Sequence, residues 1–379
     1  MRLALIGPSL PYRGGISQFN TQLYRRLQAS HEVILINFSR QYPGLFFPGT
    51  KQFSGPEGNL VGEPLIDSLN PRTWYRAGRH LARFRPDAAV FQWWHPFFGL
   101  AYRPILTRLG KLEPPCRRLF LCHNVYPHER APSPLGRALE TRFIRSVFSR
   151  VDGFLTQSQC MVEQIRALGL AAPVQKVFHP CYEQFGGASD VAEPAPDGTL
   201  RMLFFGNIRF YKGLDVLIDA LARLPPDLPW ELRVAGEFYQ AKQLIETARQ
   251  LGIADRIQWE DRYVPDAEVG DHFRWAQVLV APYRTSTQSG VIPLAYQFGL
   301  PVITTSTGGL PEVVQEGKTG LLVPPEDAGN LADAICRFSA LRSKVPWSRN
   351  VKELSGSLSW QQVEDAILFL AGSSETGLN

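Results

Sequence analysis

Short apolar runs recur along the chain, each followed by a polar turn and then by apolar residues at helical spacing. Leu3–Ile6, Val33–Ile36, Ala88–Phe91, Leu119–Cys122, Gly153–Thr156 and Val174–Phe178 form one series. Met202–Phe205, Glu231–Ala235, Ile257–Trp259, Val278–Ala281, Pro301–Thr304 and Gly320–Val323 form a second. Apolar runs of this kind read as strands buried on both faces. Strands that alternate with helices predict a parallel α/β sheet, here twice over. Between the series, Gly186–Gly198 is small, polar and rich in Pro and Gly, the composition of a linker. The expected organisation is a first domain over residues 1–185, a linker over 186–199, a second domain over 200–355, and a C-terminal helix with its tail over 356–379.

Composition narrows the class. The chain has 379 residues, 44% hydrophobic and 20% charged, with 32 Gly and 30 Pro. Those values exclude disordered, collagen-like and coiled-coil proteins. The five cysteines, Cys116, Cys122, Cys160, Cys181 and Cys336, form no C-x-x-C pair, and an odd count predicts reduced thiols and a cytoplasmic protein. The strand-like Arg2 to Ile6 is too short for a signal-peptide core. Ala88 to Leu106 is interrupted by Gln92, His95, Pro96 and Arg103, so no membrane span is expected. The net charge of +5 conceals a division. Residues 1–190 carry 23 Lys/Arg against 12 Asp/Glu, a balance of +11, while residues 191–379 carry 17 against 23, a balance of −6.

Candidate chemistry gathers in the turns that follow strands. Gly14-Gly15 opens a helix with Ile16, Phe19, Leu23 and Leu27 on one face. Paired glycines let backbone N–H groups turn toward an anion at a helix start, and the same residues also suit a tight packed turn. The spacing G-x-G-x-x-G is absent, which disfavours a nicotinamide-dependent oxidoreductase. In Gly206-Asn-Ile-Arg-Phe-Tyr-Lys-Gly-Leu-Asp215, Arg209 and Lys212 stand between a strand end and a helix start. Two cations there suit a diphosphate, Arg as a fork and Lys as a point charge; the alternative is two solvated surface cations. The polar loop Ser286-Thr287-Gln288-Ser289-Gly290 offers hydroxyl and N–H groups to phosphate or sugar oxygens, or it is a plain helix start. Thr307 to Glu312 repeats that pattern one strand later. His123 follows another strand, and with His128 and Glu129 it lacks the spacing of a metal site. No Asp-x-Asp sequence occurs. The aromatic run Phe91 to Phe98 is either core or a lipid-contacting surface.

In combination these segments resemble the family 4 (group 1) glycosyltransferases. The likeness rests on Gly14-Gly15-Ile16, His123-Asn124, Gly206 to Asp215, Gly299-Leu-Pro-Val-Ile303, Gly308-Gly-Leu-Pro-Glu312 and Gly317 to Val323. It implies the GT-B fold: two Rossmann-like domains facing a cleft, with Trp360 to Ala371 as a helix crossing back to the first. The first domain would bind the acceptor and the second a nucleotide-diphosphate sugar. By that resemblance Arg209, Lys212 and His123 are the catalytic residues. Arg209 and Lys212 would neutralise the leaving diphosphate and His123 would contact the transferred sugar. Gly14, Gly15, Gly206, Arg262, Tyr263, Ser286, Thr287, Gln288, Ser289, Gly290 and Glu312 are the donor-binding set, with the nucleobase near Arg262-Tyr263-Val264. The family retains anomeric configuration and is expected to need no metal ligands and no cofactor beyond the co-substrate.

One departure from the family pattern stands out. Its usual Glu-x7-Glu is replaced by Ser286 or Thr287 at the first position and Leu294 or Ala295 at the second, and Gln288-Ser289-Gly290 fits a variant seen in some members. The resulting expectation is a retaining, metal-independent transferase moving a sugar from a UDP- or GDP-sugar to a glycan or polyprenyl-diphosphate-linked acceptor in polysaccharide biosynthesis. The basic first half suggests peripheral contact with an anionic membrane at its inner face, and no nucleic-acid partner is expected. Rival readings are a sugar-nucleotide epimerase of the same fold and a non-catalytic nucleotide-sugar-binding homologue.

Overall fold

Both expected sheets form in the computed structural model, which describes residues 1–43, 52–53, 60–127, 130, 132–186, 198–239 and 242–372. The first unit runs β1 (Arg2–Ile6), α1 (Gly15–Leu27), β2 (Glu32–Arg40), β3 (Glu63–Asp67), α2 (Pro71–Phe84), β4 (Ala88–Trp93), α3 (Gly99–Leu109), β5 (Arg117–Cys122), α4 (Pro134–Phe148), β6 (Gly153–Thr156), α5 (Gln159–Arg166) and β7 (Val174–Lys176). Its sheet is parallel throughout, in the order β3-β2-β1-β4-β5-β6-β7.

Alternate strand residues serve opposite faces of this sheet. Ala4, Ile6, Ala89 and Phe91 enter one core with Phe98, Tyr102, Phe120 and Phe148. Leu3, Leu5 and Val90 enter the other with Phe19, Leu23, Leu27, Trp360, Val363 and Ile367. The second face therefore needs α1 together with the last helix of the chain to exclude water. Helix starts follow local rules. Asn70 accepts from the Arg72 N–H at 3.1 Å ahead of Pro71, and Ser133 accepts from Gly136 N–H at 3.0 Å ahead of Pro134.

The second unit runs β8 (Leu200–Phe205), α6 (Leu214–Leu221), β9 (Trp230–Ala235), α7 (Gln243–Gln250), β10 (Ile257–Glu260), α8 (Asp266–Trp275), β11 (Val278–Ala281), α9 (Val291–Gln297), β12 (Val302–Thr305), α10 (Leu310–Val313), β13 (Gly320–Val323), α11 (Ala328–Leu341) and α12 (Trp347–Ser355). Its sheet is again parallel, in the order β10-β9-β8-β11-β12-β13. The final helix, α13 (Trp360–Ala371), belongs to the first unit.

Three details differ from the sequence reading. β3 was not expected, because Glu63 and Pro64 break the apolar run; as an edge strand it tolerates proline, and its register against β2 shifts twice. The units divide at Phe178/His179 and Ser359/Trp360 rather than at 185 and 356. His179 to Gly186 are held by the second unit: Cys181 N–H donates to Leu358 C=O at 3.1 Å, and the Gln297 amide donates to Gly186 C=O at 3.3 Å. Most of the expected linker, 187–197, lies outside the described residues, as do 373–379 of the tail. No described helix is long and apolar enough to cross a membrane.

Trp360 lies 4.9 Å from Phe19, ring to ring, and is almost fully buried. Trp360→Ala is expected to cost about 3–5 kcal/mol of stability in urea denaturation. An unchanged midpoint would show that α13 is not part of the first unit's core.

Candidate functional site

In the second sheet, consecutive strands lie on opposite sides of β8: β9 and β10 to one side, β11 onward to the other. At such a reversal the loops after the two central strands diverge and leave a crevice at the carboxyl edge. The loop after β8 is Gly206 to Gly213, and the loop after β11 is Pro282 to Gly290. Most of the expected donor residues fall on these two loops.

Lys212 ends a short 3₁₀ turn, Phe210–Lys212, and is only 6% exposed. Its Nζ donates to Phe205 C=O at 3.3 Å and lies 5.7 Å from the centre of the Tyr283 ring. Burial, helped by the nearby Arg209 charge, brings its pKa down to about 7. Arg209 lies over the Tyr239 ring at 4.9 Å. Gly206 has φ +93°, and a Cβ there would stand 2.8 Å from Lys212 Nζ, so glycine leaves room for the ammonium. Gly213, at φ +70°, would put a Cβ 2.1 Å from Pro282 C=O, so the two loops can approach only through glycine.

A side chain that the sequence reading passed over braces this arrangement. Arg284 donates to both Asp215 oxygens at 2.8 and 2.5 Å, to Phe210 C=O at 2.8 Å and to Glu326 at 3.0 Å. Burial opposes the Asp215 charge, but the Arg284 bonds hold that carboxyl below its usual range. One guanidinium thus ties the start of α6 and the 3₁₀ turn that carries Lys212. Nothing in the sequence joins residues 69 positions apart.

Around the β11 loop, the Ser286 hydroxyl donates to Gln288 C=O at 2.6 Å, and Ser289 Oγ accepts from Val291 N–H at 3.2 Å. Both hydroxyls therefore shape the loop itself. Gln288 Oε1 is buried with no protein partner among the described residues. Thr287 and Gly290 are half-buried, and a Cβ on Gly290 would sit 3.3 Å from the Tyr182 hydroxyl and 3.5 Å from His179 Nε2. His179 bonds that hydroxyl at 3.1 Å, and burial lowers its pKa to about 4. Gly308 packs so closely on Ser286 that a Cβ there would fall 1.5 Å from its carbonyl oxygen. The β11 and β12 loops therefore form one body, with half-buried Glu312 on α10 just beyond. At the end of β10, exposed Arg262 pairs with both Glu260 and Glu268, so its charge is already compensated; Tyr263 beside it is half-buried. Leu294 and Ala295, at the position of the second family Glu, are buried in α9.

The first unit holds the remaining residues. Its strand order reverses between β1 and β4. Gly14, at φ +113°, precedes α1, and Gly14 and Gly15 are both exposed. His123 is just past β5 and only 2% exposed, its Nε2 bonded to Gln92 Oε1 at 2.8 Å. His128 and Glu129 lie outside the described residues. The aromatic run is core: Phe91, Trp93 and Phe98 are buried, and Trp94 donates from its indole to the Tyr42 hydroxyl at 3.0 Å. Exposed apolar side chains of this unit lie elsewhere, among them Leu135 and Leu139 on α4 at 72% and 59% exposure.

Comparison with known proteins agrees with this architecture. Residues 14–181 match the family described as Glycosyl transferase 4-like domain, and residues 199–340 match Glycosyl transferases group 1. The D-inositol 3-phosphate glycosyltransferase of Geodermatophilus obscurus is 31% identical over 180 residues, 44% of this chain and 39% of that protein. D-inositol 3-phosphate glycosyltransferase 1 of Catenulispora acidiphila is 30% identical over 256 residues, 61% of this chain and 60% of that protein. The matched stretch thus spans less than two thirds of either relative. Among solved structures, sucrose-phosphate synthase from Thermosynechococcus elongatus superposes with a TM-score of 0.74 at 18% identity, over 97% of this chain and 98% of that one. Anabaena HepE in complex with UDP-glucose gives 0.70 at 15% identity, over 97% and 98%. At such identities the likeness is one of fold, the GT-B fold.

Lys212 generates a stability prediction. Its folded pKa of about 7 lies below its ordinary 10.5. Between those values the unfolded chain holds a proton that the folded chain lacks, so stability rises with pH across that window, by at most about 1.4 kcal/mol per unit. Lys212→Met is expected to be more stable than the parent at pH 7 and to flatten that rise. Identical slopes in denaturant melts from pH 7 to 10 would show that the ammonium is not buried.

Proposed function

We propose that this chain, a member of the group 1 glycosyltransferase family, moves a sugar from a nucleoside-diphosphate sugar to an acceptor hydroxyl. The observation that carries the proposal is Lys212. An ammonium held in a crevice at the strand-order reversal, near a second cation and destabilised by burial, gains most when an anion arrives. A diphosphate bound there would restore its charge, with Arg209 supplying a second donor.

The chemistry follows from where charge develops. As the anomeric carbon–oxygen bond breaks, the leaving nucleoside diphosphate gains negative charge. Cations already in place stabilise that state more than the ground state, without reorganising. The acceptor oxygen forms the new bond, and its proton passes to a phosphate oxygen of the departing group. Attack on the face of departure, with retention, follows from the family resemblance. This sequence of events calls for neither a bound metal nor a side-chain nucleophile. UDP- and GDP-sugars are the proposed donors, and the UDP-glucose bound in HepE supports the first. Residues 262–264 at the end of β10 would border the base, while the Thr287 hydroxyl and the backbone N–H groups of 286–290 take over from the missing glutamates.

The proposed acceptor is a glycan or a polyprenyl-diphosphate-linked glycan of polysaccharide assembly, met at the inner face of a membrane. Support comes from α4, where exposed Leu135 and Leu139 share a face with Arg142, four and three residues apart. Apolar side chains flanked by arginines suit an anionic lipid surface.

Arg209→Ala and Lys212→Met are each expected to lower kcat/KM for sugar transfer at least about a hundredfold, while added chelator leaves the parent rate unchanged. Unaltered turnover in both variants would remove the diphosphate role. UDP or GDP at about a hundred times Kd should stabilise the parent by about 2.7 kcal/mol. For the membrane contact, flotation with anionic liposomes should fall on raising salt and in Leu135→Glu/Leu139→Glu; binding insensitive to both would overturn it.

A further inference from the structure

The acid nearest to Lys212 in the sequence is Asp215, with Gly213 and Leu214 between them. A carboxylate so placed would suit an ammonium that burial destabilises, because an ion pair offsets part of the desolvation of both groups. The structure does not make that pair. Both Asp215 oxygens are taken by Arg284, Oδ1 from Nη1 at 2.8 Å and Oδ2 from Nη2 at 2.5 Å. The backbone amides of Asp215 and Val216 bond to the same carboxylate. Among the described residues Lys212 Nζ meets Phe205 C=O at 3.3 Å and the Tyr283 ring, with the Arg209 charge nearby, and it pairs with no carboxylate.

Arg284 is itself fixed from several sides. Its backbone N–H donates to Tyr211 C=O at 2.8 Å and its Nη1 to Phe210 C=O at 2.8 Å. Main chain and side chain therefore both grip the turn that ends in Lys212. Nε donates to Glu326, in the turn between β13 and α11, at 3.0 Å. The exposed Phe210 ring lies over the guanidinium at 4.1 Å. Two of the bonds run side by side to one carboxylate, a fork that neither lysine nor glutamine reproduces. Two carboxylates already compensate the Arg284 charge, so it is not a third cation for an incoming anion.

We propose that Arg284 is a positioning residue: by occupying both oxygens of Asp215 it keeps that carboxylate off Lys212, and the ammonium stays open to the diphosphate of a nucleotide. The hold on Asp215 stands on hydrogen bonds within the second unit alone; the identity of the anion rests on the proposed transfer reaction. A cation paired inside the protein must release its partner before it binds phosphate, and the exchange forfeits much of the gain. A buried cation without a partner keeps the whole interaction for the ligand.

Carbon-13 NMR of the full chain labelled at lysine Cε follows the Lys212 titration, with the signal assigned by its loss in Lys212→Met. Calorimetry with UDP and with GDP follows the site. In Arg284→Gln the released Asp215 carboxylate is expected to pair with Lys212. Its titration should then move up by at least about one pH unit, and nucleotide affinity at pH 7 should fall at least about tenfold. In Arg284→Gln/Asp215→Asn no carboxylate is released, so affinity should return to within about threefold of the parent, with the titration back near its parent value. A double variant that binds as weakly as Arg284→Gln overturns the proposal, because removing Asp215 cannot repair a brace that was merely structural. A Lys212 titration left in place by Arg284→Gln overturns it as well. The parent alone provides a test that needs no variant to fold, since an ammonium titrating at its ordinary 10.5 is already compensated and the proposal then fails. The expected Lys212 shifts in a chain that binds neither UDP nor GDP would leave the hold on Asp215 standing and overturn the diphosphate reading instead.

Discussion

Every strand pairing in both sheets is parallel, and the candidate chemistry depends on that constraint. Parallel neighbours require a crossover, so each strand leaves its sheet at the same edge, and after most of them a helix begins there. Where strand order reverses, two of those exits diverge. Gly206–Gly213 and Pro282–Gly290 occupy one such reversal, and Gly7–Gly15 occupies the other. The close approaches at Gly206, Gly213 and Gly308 are consequences, since loops crowded onto one edge can pack only where a Cβ is absent.

The two edges manage polarity in different ways. The first unit buries a hydrogen-bonded line of side chains, the amides of Asn20 and Gln92 and the ring of His123. The second relies on charge. Arg284 is compensated by Asp215 and Glu326, and Arg262 by Glu260 and Glu268. Among the described residues neither Arg209 nor Lys212 makes an ion pair; both lie near aromatic rings. That difference accounts for how residues 191–379, with a balance of −6, can still present positive charge to an anion. Placement outweighs the sum, because a compensated cation contributes little field beyond its partner.

Much of the fold was legible. Buried parallel strands carry near-continuous apolar runs, so twelve of them were visible as such; α1 and α6 were visible from helical spacing, and α13 from the family resemblance. β3 escaped because an edge strand needs apolar residues on one side only and admits Pro64. The division at Phe178/His179 escaped because composition marks a solvent-exposed stretch, whereas the unit to which His179–Gly186 belongs is decided by bonds to Leu358 and Gln297. At the site, the types and order of residues pointed to Arg209 and Lys212, and the family resemblance to His123. The bonds of Arg284 to Asp215, Gln92 to Asn20 and Gln92 to His123 had no local signal, since they span 69, 72 and 31 positions.

The sequence by itself determined two parallel α/β units, the loops that carry their chemistry, and a family likeness spread along the chain. Those properties follow from local apolar pattern and turn chemistry, which adjacent residues encode. Only the tertiary structure decided which charges are compensated, that the Lys212 ammonium is buried, and that the last helix completes the first core. Each of these depends on contacts between distant segments. Burial and hydrogen-bond polarity become defined only when the sheets bring those segments together.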